Sequence, residues 1–182
     1  MNIIELTQSC YRTPVVISGL VLTCILFSMG FACATPLAAF ATISAMLFGR
    51  SNALLATASI WLVNQFWGFA FHNYPLKAET FAWGVALGII SILCCLSAKY
   101  ILRQIPGVTG IAIAFMGSFF IYEGSLFAID LIGNRGADIF TFAIVTRIFL
   151  INLGAFVGLV VLKETISSAS KTTTAPAQSL LF

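Results

Sequence analysis

No charged side chain interrupts the sequence between Arg12 and Arg50, or between Arg50 and Lys77. A helix needs about 20 predominantly apolar residues to cross the ~30 Å hydrocarbon core of a bilayer, and gaps of this kind supply them. The 182-residue chain carries nine Lys and Arg and six Asp and Glu, where a soluble domain of this size would carry roughly 45 charges. With 60% hydrophobic residues and a mean hydropathy of +1.04, it has no polar exterior to turn toward water. A water-soluble globule is excluded, and the lipid bilayer is the expected partner.

The apolar runs lay out as an all-α membrane protein, a bundle of about six transmembrane helices. They run from Pro14 to Cys33, Pro36 to Gly49, Ala53 to Phe71, Phe81 to Leu102, Val108 to Ile129 and Ile139 to Leu162. The second is the shortest. Thr35-Pro36 starts it, since Pro is tolerated in a first helical turn. Ala34, Ala38, Ala41 and Ala45 give it small-x-x-x-small pairs, which let helices approach closely in lipid. With the N-terminus inside, the cytoplasmic segments hold Arg12, Arg50, Lys99, Arg103, Lys163 and Lys171, and the outer loops hold only Lys77 and Arg135. That bias is the positive-inside pattern, so both termini are expected in the cytoplasm. Residues 1–163 form the expected transmembrane domain, and 164–182, rich in Ser, Thr and Ala, a flexible cytoplasmic tail. Ala32-Cys33-Ala34 mimics a signal-peptidase site, but the preceding apolar run is long and Glu5 weakens a positive leader.

Several chemistries find no support. The five cysteines (Cys10, Cys24, Cys33, Cys94, Cys95) are odd in number and lack metal or redox spacing, so they read as buried small hydrophobes. There is no His-Glu-x-x-His, no paired histidines, no Ser nucleophile with a base and no Walker-type phosphate loop. An enzyme is therefore not expected, nor is ATP hydrolysis by this chain. The scattered cations form no patch for nucleic acid.

Polar groups inside a span are costly unless paired, so those present point to function or to assembly. Asn64, Gln65, Glu123 and Arg147 are expected about 10–12 Å below the outer helix ends at 1.5 Å per residue. Spans five and six are consecutive and antiparallel, so Glu123 and Arg147 are expected to face each other. Above them the outer loops carry His72, Asn73, Tyr74, Asp130, Asn134, Arg135 and Asp138. Trp61, Phe66, Trp67, Phe69, Phe71 and Tyr74 crowd the end of span three, as in an interfacial aromatic belt. Gly68 leaves room there for a ligand or another backbone. His72 is the only histidine; it cannot build a metal site alone, but a neutral imidazole can donate one axial bond to an already chelated cobalt or iron. The same groups could instead serve only to lock the bundle together.

The run Trp61-Leu62-Val63-Asn64-Gln65-Phe66-Trp67-Gly68-Phe69, followed by Tyr74-Pro75 and Ala82-Trp83-Gly84, resembles the BtuM family. Its members are solitary membrane proteins related to the substrate-binding S components of energy-coupling factor vitamin transporters. Cys33-Ala34-Thr35-Pro36-Leu37-Ala38-Ala39 is similar to the start of that family's second helix. The resemblance covers residues 30 to 90 by motif and the whole chain by length and span count. It implies a multi-pass protein of a bacterial inner membrane that takes up cobalamin from the periplasmic side. One departure stands out. A branch of the family uses a cysteine in this outer region as an axial ligand to cobalt, for removal of cyanide, and this chain has no cysteine between Cys33 and Cys94. His72 is the nearest side chain with suitable ligand chemistry.

The expected transporter has no cofactor of its own, and cobalamin is its ligand. The expected binding set is Asn64, Gln65, Trp67, Gly68, His72, Tyr74, Glu123, Asn134, Arg135 and Arg147, in a cavity walled by spans three, five and six. Trp67 and Tyr74 would pack on the corrin, and Asn64, Gln65, Asn134 and Arg135 would address its amide rim. Two other readings stay open. One is an S component for another vitamin, docking on an energising module through Ala34, Ala38, Ala41 and Ala45. The other is a structural subunit of a membrane complex.

Overall fold

The computed structural model describes residues 3–31, 35–132 and 141–174, with side chains over 13–31, 35–132 and 141–165. Six helices lie among the described residues: α1 (Ile3–Phe31), α2 (Leu37–Leu47), α3 (Arg50–Phe71), α4 (Ala78–Gln104), α5 (Gly107–Ile132) and α6 (Phe142–Thr174). Five of them, all but α2, are long and apolar enough to cross a membrane. The chain is a multi-pass α-helical membrane protein.

The sixth expected span is not full length. α2 has 11 residues, about 16 Å at 1.5 Å per residue, roughly half the hydrocarbon thickness. Thr35 and Pro36 precede it as irregular backbone, and it stops where Phe48 turns extended ahead of Gly49. α6 departs in the other direction. The Ser- and Thr-rich stretch after Lys163, expected as a flexible tail, continues as helix to Thr174, because extending a helix costs far less than nucleating one. Residues 175–182 lie outside the described residues.

The short α2 is the centre of the bundle. It packs against α3, α4, α5 and α6, and every residue from Leu37 to Ala45 is buried. Its alanines make this possible by letting neighbouring backbones close in. Ala38, Ala41 and Ala45 therefore face the chain's own helices, and the docking face expected on them for an energising module is already covered. Ala34 and Cys33 lie outside the described residues.

A backbone end buried in apolar surroundings must find partners, and α2 has no side-chain N-cap of its own. Asn152 of α6, fully buried, accepts the Ala39 N–H through Oδ1 at 3.2 Å. At the other end Lys99 of α4 donates Nζ to the Ala45 carbonyl at 2.8 Å and to the Phe48 carbonyl. Both ends of the central helix are thus completed by other helices.

Neighbouring helices are held by similar polar clasps. Cys94 Sγ donates to the Ser118 carbonyl at 3.2 Å while Ser118 Oγ donates back to the Cys94 carbonyl at 3.3 Å, joining α4 to α5. Cys24, Cys94 and Cys95 are free and buried, as small apolar residues would be; Cys10 and Cys33 lie outside the described side chains. α1 stands at the periphery. Its packing is mainly on α3, and it turns Leu22, Leu26 and Met29 outward.

Candidate functional site

The polar groups of α3 divide between two neighbours according to their place around the helix. Asn64 faces α1, where its Oδ1 accepts a hydrogen bond from Ser28 Oγ at 3.0 Å. Ser28 Oγ also lies 3.2 Å from Thr35 Oγ1, which ties in the segment leading to α2. Gln65 and Trp61 face α4. The Trp61 indole N–H donates to the Gly84 carbonyl at 2.8 Å, and a Cβ on Gly84 would stand 2.6 Å from Gln65 Oε1. Only glycine permits that approach.

Beyond the last turn of α3, Asn73 adopts a left-handed backbone with φ of 53°, a conformation that Asn tolerates better than most residues. The turn folds Tyr74 back so that its ring fills the space left open at Gly68. The room expected there for a ligand is taken by the protein itself. Tyr74 also stacks on His72 at 6.2 Å and meets Phe69 edge-on at 6.0 Å. Trp67 stacks on Phe71 at 4.0 Å. His72 Nε2 lies 3.0 Å from the Ser28 carbonyl. A carbonyl can only accept, so Nε2 carries the proton and a neutral ring keeps its lone pair on Nδ1.

Glu123 and Arg147 do not pair. Phe119 of α5 meets Phe149 of α6 at 5.0 Å, and Phe115 stacks on Phe156 at 4.5 Å. In that antiparallel register Glu123, one turn beyond Phe119, is level with Arg147. The two residues are level with each other, but they do not face each other. Successive helical residues turn by about 100°, so Arg147 points about 200° away from Phe149 and from α5. Glu123 is buried, and neither carboxyl oxygen has a hydrogen-bond partner.

Arg147 instead lines a cleft of about 490 Å³ between α1 and α6. Ala143, Thr146, Arg147, Leu150, Ile151 and Gly154 form one face of α6, and Phe27 and Phe31 of α1 stand opposite. Arg147 is about 7 Å along α6 from Phe142, at 1.5 Å per residue. Of the expected walls, spans three, five and six, only the sixth lines this cleft, and α1 supplies its other side. Asp130, expected in a loop, belongs to α5 and is buried. Asn134, Arg135 and Asp138 lie outside the described residues.

The structure brings Asn64 and His72 together on Ser28, and Trp61 and Gln65 together on α4. It leaves Arg147 and Glu123 apart from both groups. Ser28 and Asn152 were not singled out from the sequence, and Thr35 only as the start of the second span, although Asn152 carries the same signal that marked Asn64, an amide inside an apolar run. Among the described residues no group of three or more His, Cys, Asp or Glu could hold a metal ion. In comparisons with known proteins, no family model, no curated protein and no solved structure matches this chain.

Proposed function

We propose that the chain is a bacterial inner-membrane transporter that takes up cobalamin or a related corrinoid from the side where His72 and the start of α6 lie. The observation that carries a ligand-binding role is Arg147, a guanidinium inside a spanning helix that lines an apolar cleft instead of pairing with the carboxyl at its own level. Ionisable groups at such depth are rare and mark ligand or ion paths. The identity of the ligand rests on the sequence resemblance around Trp61–Phe69 and Tyr74-Pro75.

The chemistry of cobalamin suits these walls. Its corrin face is apolar enough to lie on Phe27 and Phe31, and the phosphodiester of its nucleotide loop is an anion that Arg147 can grip with two parallel hydrogen bonds. His72 Nδ1 is the nitrogen that would meet cobalt, with the ring oriented by the Ser28 carbonyl. A corrinoid is larger than a 490 Å³ cleft, so binding requires α1 to part from α6. α1, held mainly by α3, is free to do so.

Equilibrium binding to purified protein tests the reading. Wild type should bind cobalamin, and Arg147→Gln should weaken it by about tenfold or more, the loss of a charge-assisted hydrogen bond. Cobinamide lacks the nucleotide loop and should bind both proteins alike. Absence of corrinoid binding by the wild type would remove the proposal. His72→Ala should shift the corrin absorption spectrum; an unchanged spectrum and affinity would eliminate cobalt ligation.

The structural-subunit reading has its own support, because Asn64, Gln65, Trp61 and His72 all contact neighbouring helices. Growth on limiting cobalamin, restored in uptake-deficient cells by this chain alone, would separate the two. A role with an energising module would need a docking face other than the buried alanines of α2.

A further inference from the structure

At the end of the bundle opposite His72, a second cavity of about 530 Å³ opens between the ends of α2, α3, α4 and α5, with Lys163 of α6 beside it. Arg50, Lys99, Arg103 and Lys163 all line it. A positive-inside bias alone requires only that cations lie at this end. It does not require four of them, from three helices, to converge on one hollow.

Their partners are few. Lys99 is held by the α2 carbonyls, and Lys163 pairs with Glu164 at 2.6 Å on the exposed surface. Among the described side chains Glu164 is the only carboxylate at this end, and no ion pair to the Arg50 or Arg103 guanidinium groups is found among them. Gly49, the N-cap of α3, also lines the cavity and offers no side-chain cap. The first backbone N–H groups of α3 and the positive end of its dipole therefore add to the same field. The opposite wall is apolar, with Met46, Leu102 and Ile111. Two guanidinium forks beside a helix N-terminus suit a phosphate, and the apolar wall suits the first methylenes of an acyl chain.

We propose that this cavity binds a phosphate ester, either the headgroup of an anionic phospholipid or a soluble phosphate compound, through Arg50 and Arg103. The proposal is independent of the corrinoid reading, because it concerns other residues at the other end of the bundle. The apolar wall favours the lipid.

The test is binding to the full-length protein in detergent, followed by native mass spectrometry and by thermal stabilisation. The probes are phosphatidylglycerol, phosphatidylcholine and soluble glycerol 3-phosphate. Phosphatidylglycerol should bind well above phosphatidylcholine. Arg50→Gln and Arg103→Gln should each weaken it about fivefold, and the pair roughly thirtyfold, as expected for cations at an anionic lipid surface. Arg50→Lys with Arg103→Lys keeps the charge but loses the fork, and should fall between wild type and the double Gln variant. Lys77→Gln, at the other end of α4, should change nothing. Binding of glycerol 3-phosphate that is lost in the double Gln variant would assign the site to a soluble phosphate. Equal binding of both lipids, or of phosphatidylglycerol and glycerol 3-phosphate to wild type and the double Gln variant, would overturn the proposal. Lys99 is left intact throughout because it completes α2.

Discussion

Glu123 and Arg147 show how differently two ionisable residues at one depth can be placed. A carboxyl buried without any hydrogen-bond partner costs stability, by about 1–3 kcal/mol for an unsatisfied polar group. Removing it should recover part of that cost. Glu123→Leu is therefore expected to raise the thermal midpoint of the purified protein, while Glu123→Gln, which keeps polar atoms in the same place, should move it less. A lower midpoint for Glu123→Leu would show that the carboxyl has a stabilising partner after all. Retention of a destabilising group is what functional sites display, so the same Leu variant should lose uptake in cells despite being more stable. Arg147 carries no such penalty of enclosure, since it lies on an exposed face of α6 and can extend along the cleft toward the interface.

The central element, α2, depends on side chains that are remote in sequence. Asn152→Leu would leave the Ala39 N–H without its acceptor, and Lys99→Met would leave the Ala45 and Phe48 carbonyls without their donor. Each change is expected to lower stability by about 1–3 kcal/mol, and the two should be close to additive because they act at opposite ends of the helix. Unchanged thermal midpoints would mean that α2 ends are satisfied in another way. The five long helices were legible because long, predominantly apolar runs leave little choice even where Glu123 and Arg147 interrupt α5 and α6, and α3 ends at Phe71 as Pro75 and the His72-Asn73-Tyr74 turn imply. The shortness of α2 was also visible, as was the small-residue pattern that lets it be buried. What could not be read was which neighbour each face meets. Helical periodicity places Asn64 and Gln65 about 100° apart, but only the packing shows that one faces α1 and the other α4. For the same reason equal depth suggested a Glu123–Arg147 pair that the rotation of α6 prevents.

At the scale of the whole molecule, the bundle consists of a core built on α2, with α1 and α6 on its flank and a cleft between them. α1 is fixed to α3 by a parallel register in which Cys24 lies on the Ile60 carbonyl, Ser28 on Asn64 and the Ser28 carbonyl on His72. No comparable set of bonds joins α1 to α6 among the described residues, so the cheapest way to admit a bulky ligand is to part these two helices. Covalent closure of the cleft tests this directly. Phe31 and Ala143 both line it, one on each helix. Phe31→Cys with Ala143→Cys, bridged by a short bismaleimide in a background freed of reactive native cysteines, should abolish corrinoid uptake, whereas either single variant treated in the same way should retain most of it. If the bridged protein transports as well as the unbridged one, the ligand enters elsewhere and the α1–α6 cleft is only a seam filled by lipid.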